Sequence, residues 1–145
     1  MAQNTNEATY TGYIRVAVVR SASGWTVAAG VASNAAVIQF PANTGTAQNV
    51  THFGIGYADT GVGRLIYADA FAATKEVRIG DAPKFAIGAL TVTKTGDAVP
   101  AWLTDIFKLI FQNVDCPNVG DPTGLRGSST AGNLYVSLHT GNPNA

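Results

Sequence analysis

A chain of 145 residues is long enough for one domain with a real core and too short for two comfortable ones, so a single domain over residues 1–145 is predicted. Nine basic and nine acidic residues cancel to zero net charge, which excludes the basic field that holds a phosphate backbone or an anionic membrane. Only 12% of residues are charged against 46% hydrophobic, so the surface is built from Thr, Ser, Asn, Ala and Gly and lacks the repulsion that keeps proteins apart, which suits a homo-oligomer or lattice subunit.

Residues 10–20 alternate, with Ile14, Val16 and Val18 on one face and Tyr13, Arg15 and Ala17 on the other, the pattern of a half-buried strand. Residues 21–24 read as a turn and 25–29 as the return strand of a hairpin. Short apolar segments follow at 35–40, 50–57, 64–70, 76–79 and 84–93, separated by clusters of Pro, Asn, Asp and Gly. Seven or so short strands at this spacing predict an antiparallel jelly-roll or β-sandwich. One segment departs from the pattern. Residues 102–114 carry a single polar stripe of Thr104, Asp105, Lys108 and Gln112, which predicts one largely buried α-helix over about 101–114, with Pro100 suited to its first turn and Cys116-Pro117 marking its end. A glycine-rich loop at 120–132 leads to a final strand, 134–140, with Leu134, Val136 and Leu138 inward and Tyr135, Ser137 and His139 outward. No strand follows to pair with it.

Residues 6–13 (NEATYTGY), 15–20 (RVAVVR), 51–56 (THFGIG), 85–93 (FAIGALTVT) and 134–140 (LYVSLHT) together resemble a family of small tailed-bacteriophage virion proteins, labelled tail fibre, head fibre or capsid decoration proteins. In that family the helix and the LYVSLHT strand come first and the strand resembling 85–93 comes last. The resemblance therefore implies a circular permutant, with residues 94–101 joining the family's original ends and the new break in the polar loop formed by 142–145 and 2–5. It further implies that the strand ending at His139 lies close to the strand beginning near Tyr10.

Catalytic and ligand chemistry finds little support in the residue pattern. His52 and His139 have no metal-ligand spacing, Cys116 is alone and reads as a buried small apolar residue, and the Asp residues mostly adjoin Gly or Pro, where they serve turns. The nucleophile elbow G-x-S-x-G is absent, and Gly54-Ile55-Gly56 and Gly61-Val62-Gly63 lack the βαβ context of a dinucleotide site, so bulges or tight sheet packing account for them. No cofactor and no metal is expected. The N-terminus is polar and no apolar run approaches the roughly 18 residues of a membrane span, so neither an export signal nor a membrane partner is expected.

Arginines near tyrosines are a combination enriched at protein interfaces. Tyr13, Arg15, Arg20, Tyr57, Arg64, Tyr67 and Tyr135 are accordingly the candidate interface residues, the other reading being that the arginines are solvated edge charges that discourage aggregation. The resemblance implies a non-enzymatic virion structural protein, assembled in the host bacterial cytoplasm. Capsid decoration or cementing, through self-association and contacts to the capsid protein, is the leading expectation. A tail or head fibre component that binds a host receptor or surface glycan through Tyr13, Tyr57 or Tyr135 is the alternative.

Overall fold

The computed structural model describes residues 2–94, 100–117 and 124–144, so the predicted junction and the glycine-rich loop lie partly outside the described residues. Strands dominate, every pair with a defined register is antiparallel, and one short helix accompanies them, which is the predicted class. The elements are β1 (Val16–Val19), β2 (Trp25–Ala28), β3 (Val31–Asn34), β4 (Ile38–Gln39), β5 (Gln48–Gly56), β6 (Leu65–Val77), β7 (Lys84–Phe85), β8 (Thr91–Thr93), α1 (Pro100–Phe107) and β9 (Asn133–His139). They distribute over two compact units, one of Met1–Ala17, Gln39–Lys84 and Leu134–Ala145, the other of Val18–Ile38 and Phe85–Asn133.

In the first unit β5 is an inner strand of a sheet ordered β1, β9, β5, β6. Its pairing with β9 sets His52 opposite His139, Gly54 opposite Ser137 and Ile55 opposite Val136. Two of its glycines are required by close approach. A Cβ at Gly54 would sit 2.7 Å from both His139 Nε2 and a Leu65 methyl, and one at Gly56 would overlap the Gln3 amide, so tight packing does explain this glycine pair. On its other side β5 pairs with β6 through a wide bulge: Val50 faces Lys75 and His52 faces Ala70, so Thr51 alone opposes Phe71–Thr74. The two strands expected at 64–70 and 76–79 are thus the two arms of one interrupted strand. Phe71 folds back at the bulge, its ring 5.8 Å from that of Phe53, which also packs against Tyr67.

The N-terminal residues form a strap along β9. Glu7 bridges His139, Ala8 N–H donates to the Leu138 carbonyl at 2.8 Å, and Thr140 N–H donates to that of Asn6 at 2.7 Å. Gln3 is fully buried, donating its amide to the Tyr135 carbonyl at 3.1 Å and accepting from Ala58 N–H at 3.2 Å. The final strand therefore has partners on both sides. This corrects its predicted burial: Ser137 and His139, expected outward, are as buried as Leu138, because the strap covers what would otherwise be an outer face.

The second unit holds a sheet ordered β2, β3, β8 and the helix. The turn at 21–24 forms as predicted, with Gly24 and Trp25 N–H both donating to the Ser21 carbonyl, but β2 leaves it to pair with β3, not β1. The β2–β3 turn is Ala29-Gly30, both at positive φ (49° and 74°), as a two-residue hairpin demands. Strand β3 escaped the sequence reading because an Ala stands where Asn or Asp would have signalled the turn. The strand predicted over 84–93 is broken in two at Gly88, whose φ of 73° closes a turn between Ala86 and Ala89. Buried Asn34 secures that turn, donating to the carbonyls of Ala36 (2.7 Å) and Ala86 (2.8 Å) and accepting from Leu90 N–H (2.9 Å).

The helix is shorter and less buried than predicted. After Phe107 the backbone widens into a π turn, Lys108–Gln112, which ends at Asn113 in the left-handed conformation. Leu103, Phe107 and Phe111 are buried, with Phe111 against Trp25 at 4.9 Å, while Trp102 is largely solvent-facing. The i, i+4, i+8 spacing of the three leaves Ile106, Leu109 and Ile110 only half-buried on the flanks.

Candidate interaction surface

The most concentrated polar geometry lies in the first unit, where the strap meets the segment before β1. Glu7 accepts from Arg15 Nε at 2.6 Å, from Arg15 Nη2 at 2.7 Å and from the Tyr13 hydroxyl at 2.9 Å. Arg15 also donates from Nη1 to the Ala58 carbonyl (2.9 Å) and from Nη2 to that of Gly61 (2.7 Å). Every guanidinium nitrogen is therefore engaged inside the chain. The Tyr13 hydroxyl in turn accepts from Leu138 N–H at 3.0 Å, and its ring lies parallel to Phe40 and edge-on to Tyr10. The hydrogen bonds that Arg15 donates to Glu7 hold its guanidinium above its ordinary pKa despite burial, and burial with the adjacent Glu7 charge pushes the Tyr13 hydroxyl far up.

These positions correct the alternation read from residues 10–20. Ile14 is 62% exposed and Arg15 only 6%, the reverse of apolar-in, polar-out. The cause is Glu7, the only carboxylate among the first 58 residues, which supplies a buried counter-charge and makes the inward guanidinium affordable.

The other candidate interface residues divide between structural and exposed roles. In the second unit Arg20 donates to the Leu109 and Ile110 carbonyls, both at 2.7 Å, and so serves as a cationic cap on the π turn. Tyr67 is half-buried and donates to Asp69 at 2.9 Å, its own pKa pushed up to about 12, by burial first and then by that carboxylate. Tyr135 is half-buried, while Tyr57 and Arg64 are exposed. The sequence reading missed Gln3, Glu7, Asn34 and Asn43, polar residues that fix the loops; the lone carboxylate near Arg15 and Arg20 was the one available signal.

Above the Glu7–Arg15 pair opens a groove of about 340 Å³. The exposed side chains of Asn4, Thr9, Ile14, Asp59 and Thr60 form its rim, with Tyr13 contributing to the lining. The pair lies at the bottom, the arginine side chain 2% and the carboxylate side chain 15% accessible.

Beside the strap, His139 Nδ1 lies 2.9 Å from the Thr5 carbonyl and Nε2 lies 2.9 Å from Ser137 Oγ. A hydroxyl on an oriented imidazole is the geometry of an activated nucleophile. Both residues are 0% accessible, however, so no substrate reaches the hydroxyl and the contact is architectural. Among the described residues no group of three His, Cys, Asp or Glu side chains converges as a metal site would require.

Residues 1–93 match the model of a family described as Podophage GP4 fiber I protein gp80. The chain belongs to this podophage fibre family. It is thus a phage virion structural protein, associated with other virion proteins. No curated protein and no solved structure matches it. The portion that matches the fibre family contains the strap, the Glu7–Arg15–Tyr13 cluster, the whole groove rim and β1 through β8.

Proposed function

We propose that the chain is a non-enzymatic component of a virion fibre that meets the host surface. The family match over residues 1–93 carries this reading. Gold-labelled antibody against the chain, viewed on intact virions by electron microscopy, is expected along the fibres. Gold spread evenly over the capsid shell would overturn the fibre reading in favour of decoration. That second reading draws on the zero net charge and on the exposed Ile14, Tyr57, Val62, Arg64 and Ile79, a sparsely charged surface of the kind that packs against copies of itself. Tyr57 and Arg64 are the members of the candidate interface set that such packing would use first.

The permuted order is proposed on the same footing. The strap along β9 brings the two ends of the chain together, with Asn6 Nδ2 donating to the Asn142 carbonyl at 3.0 Å, and the family match stops at Thr93, just before the proposed junction. A rearranged chain, closed through 142–145 and 2–5 and opened within 94–101, is expected to fold and to melt within a few degrees of the parent, because it restores the order that the resemblance implies. A rearranged chain that fails to fold cooperatively would count against the proposal.

A further inference from the structure

We propose that the groove above the Glu7–Arg15 pair is a binding site for a neutral, hydroxyl-rich carbohydrate. The fibre reading supplies its biological purpose; the geometry stands apart from it. Its volume of about 340 Å³ falls within the range of small-ligand sites. The rim offers an amide at Asn4, hydroxyls at Thr9 and Thr60 and a carboxylate at Asp59. Sugar hydroxyls both donate and accept, and such a set of partners answers both functions. Tyr13 and the outward Ile14 supply apolar lining against which the C–H face of a sugar ring can rest.

Charge selects among carbohydrates. The cation lining the groove is Arg15, and its three nitrogens are already bonded to Glu7, Ala58 and Gly61. Asp59 is then the exposed charge on the rim. A carboxylated sugar would meet this negative charge with no available guanidinium to offset it, whereas a neutral one meets only hydrogen-bonding groups.

The walls are also set before a ligand arrives. Arg15 holds the carbonyls of Ala58 and Gly61 on one side. On the other, Gln48 accepts from Thr9 N–H at 2.8 Å and donates to the Thr9 hydroxyl at 3.1 Å. A rigid site loses little entropy on binding, the condition under which a shallow groove retains useful affinity.

An array carrying neutral and sialylated oligosaccharides, probed with the purified full chain and followed by titration of the strongest neutral binder, tests the proposal. Neutral oligosaccharides should bind and sialylated ones should not. Asp59→Ala should weaken binding about tenfold or more, the effect of losing one charge-assisted hydrogen bond. Ile14→Trp should fill the groove and abolish binding, while Lys75→Ala, outside the lining, should leave it unchanged. All three side chains are exposed, so unchanged thermal melting is expected, and Asp59→Ala decides the matter should Ile14→Trp fail to fold. Silence on the neutral sugars, preference for sialylated ones, or affinity that Asp59→Ala does not move would overturn the site. Gold on the fibres with a silent array sinks the groove alone. Gold on the capsid with neutral-sugar binding that Asp59→Ala weakens sinks the fibre reading alone.

Discussion

Arg15→Met should lower the unfolding free energy by about 3–5 kcal/mol, the usual effect of removing one partner from a buried ion pair. Against a typical total of about 5–15 kcal/mol, that change brings the folded state near its threshold. Methionine matches much of the side chain's length and apolar body, so what is lost is the guanidinium and its four hydrogen bonds. The deletion leaves the Glu7 carboxylate in a site where its side chain is only 15% accessible, with the Tyr13 hydroxyl as its remaining partner, and it removes the donor from the Ala58 carbonyl. Urea denaturation measures the loss. The double variant Glu7→Gln with Arg15→Met should be more stable than the sum of the single changes predicts, because it removes the stranded charge along with its counter-charge. Strict additivity, or a loss below about 1 kcal/mol in Arg15→Met, would show that the pair is not held as described.

That pair also marks where the sequence stops being legible. Short apolar segments between turn clusters located β5 and both arms of β6 to within a few residues, and β9 was found by period-2 alternation. Alternation assigns faces on the assumption that water lies on the polar side. Around Arg15 and again around His139 that assumption fails for one reason: the strap, 130 residues away from β9 in sequence, covers the polar side and brings its own hydrogen-bonding groups. No local window contains that information. The β2–β3 hairpin was hidden for a different cause, an Ala held at positive φ, and the bulge in β6 is set by packing of Phe71 on Phe53, which propensity does not register. The groove was half visible. Tyr13 was named as a contact residue for its chemistry, yet the rim at Asn4, Thr9, Asp59 and Thr60 joins segments some 50 residues apart that only the fold brings together.

Stability should fall as pH drops from about 7.5 to 5.5, and His139 should be the principal cause. The Thr5 carbonyl can only accept, so Nδ1 carries the proton and Nε2 accepts from the Ser137 hydroxyl; the folded chain holds a neutral imidazole. Burial, the largest influence, lowers its pKa below the ordinary 6.5, and the neighbouring Arg15 and His52 act in the same direction, while the bond to Thr5 and the charge of Glu7 oppose them. On acidification the unfolded chain therefore takes up this proton first. The stabilisation is complete above pH 6.5 and is lost as pH falls through 6.5 toward the lower folded value, with a slope of at most about 1.4 kcal/mol per pH unit for one proton. Protonation need not break a hydrogen bond, since Ser137 can turn its hydroxyl toward the Gly54 carbonyl, 3.4 Å away, and accept from Nε2–H. The cost is that of a charge without water, set directly across the ladder from His52. His139→Gln should flatten the pH dependence at some constant loss of stability, and His52→Gln should leave most of the slope in place. Hydrogen exchange should show the strap failing first, with the Ala8 and Thr140 amides losing protection at pH 5.5 before the β5–β9 ladder does. A slope that survives His139→Gln would place the titration elsewhere and remove this histidine as the acid-sensitive contact between strap and strand.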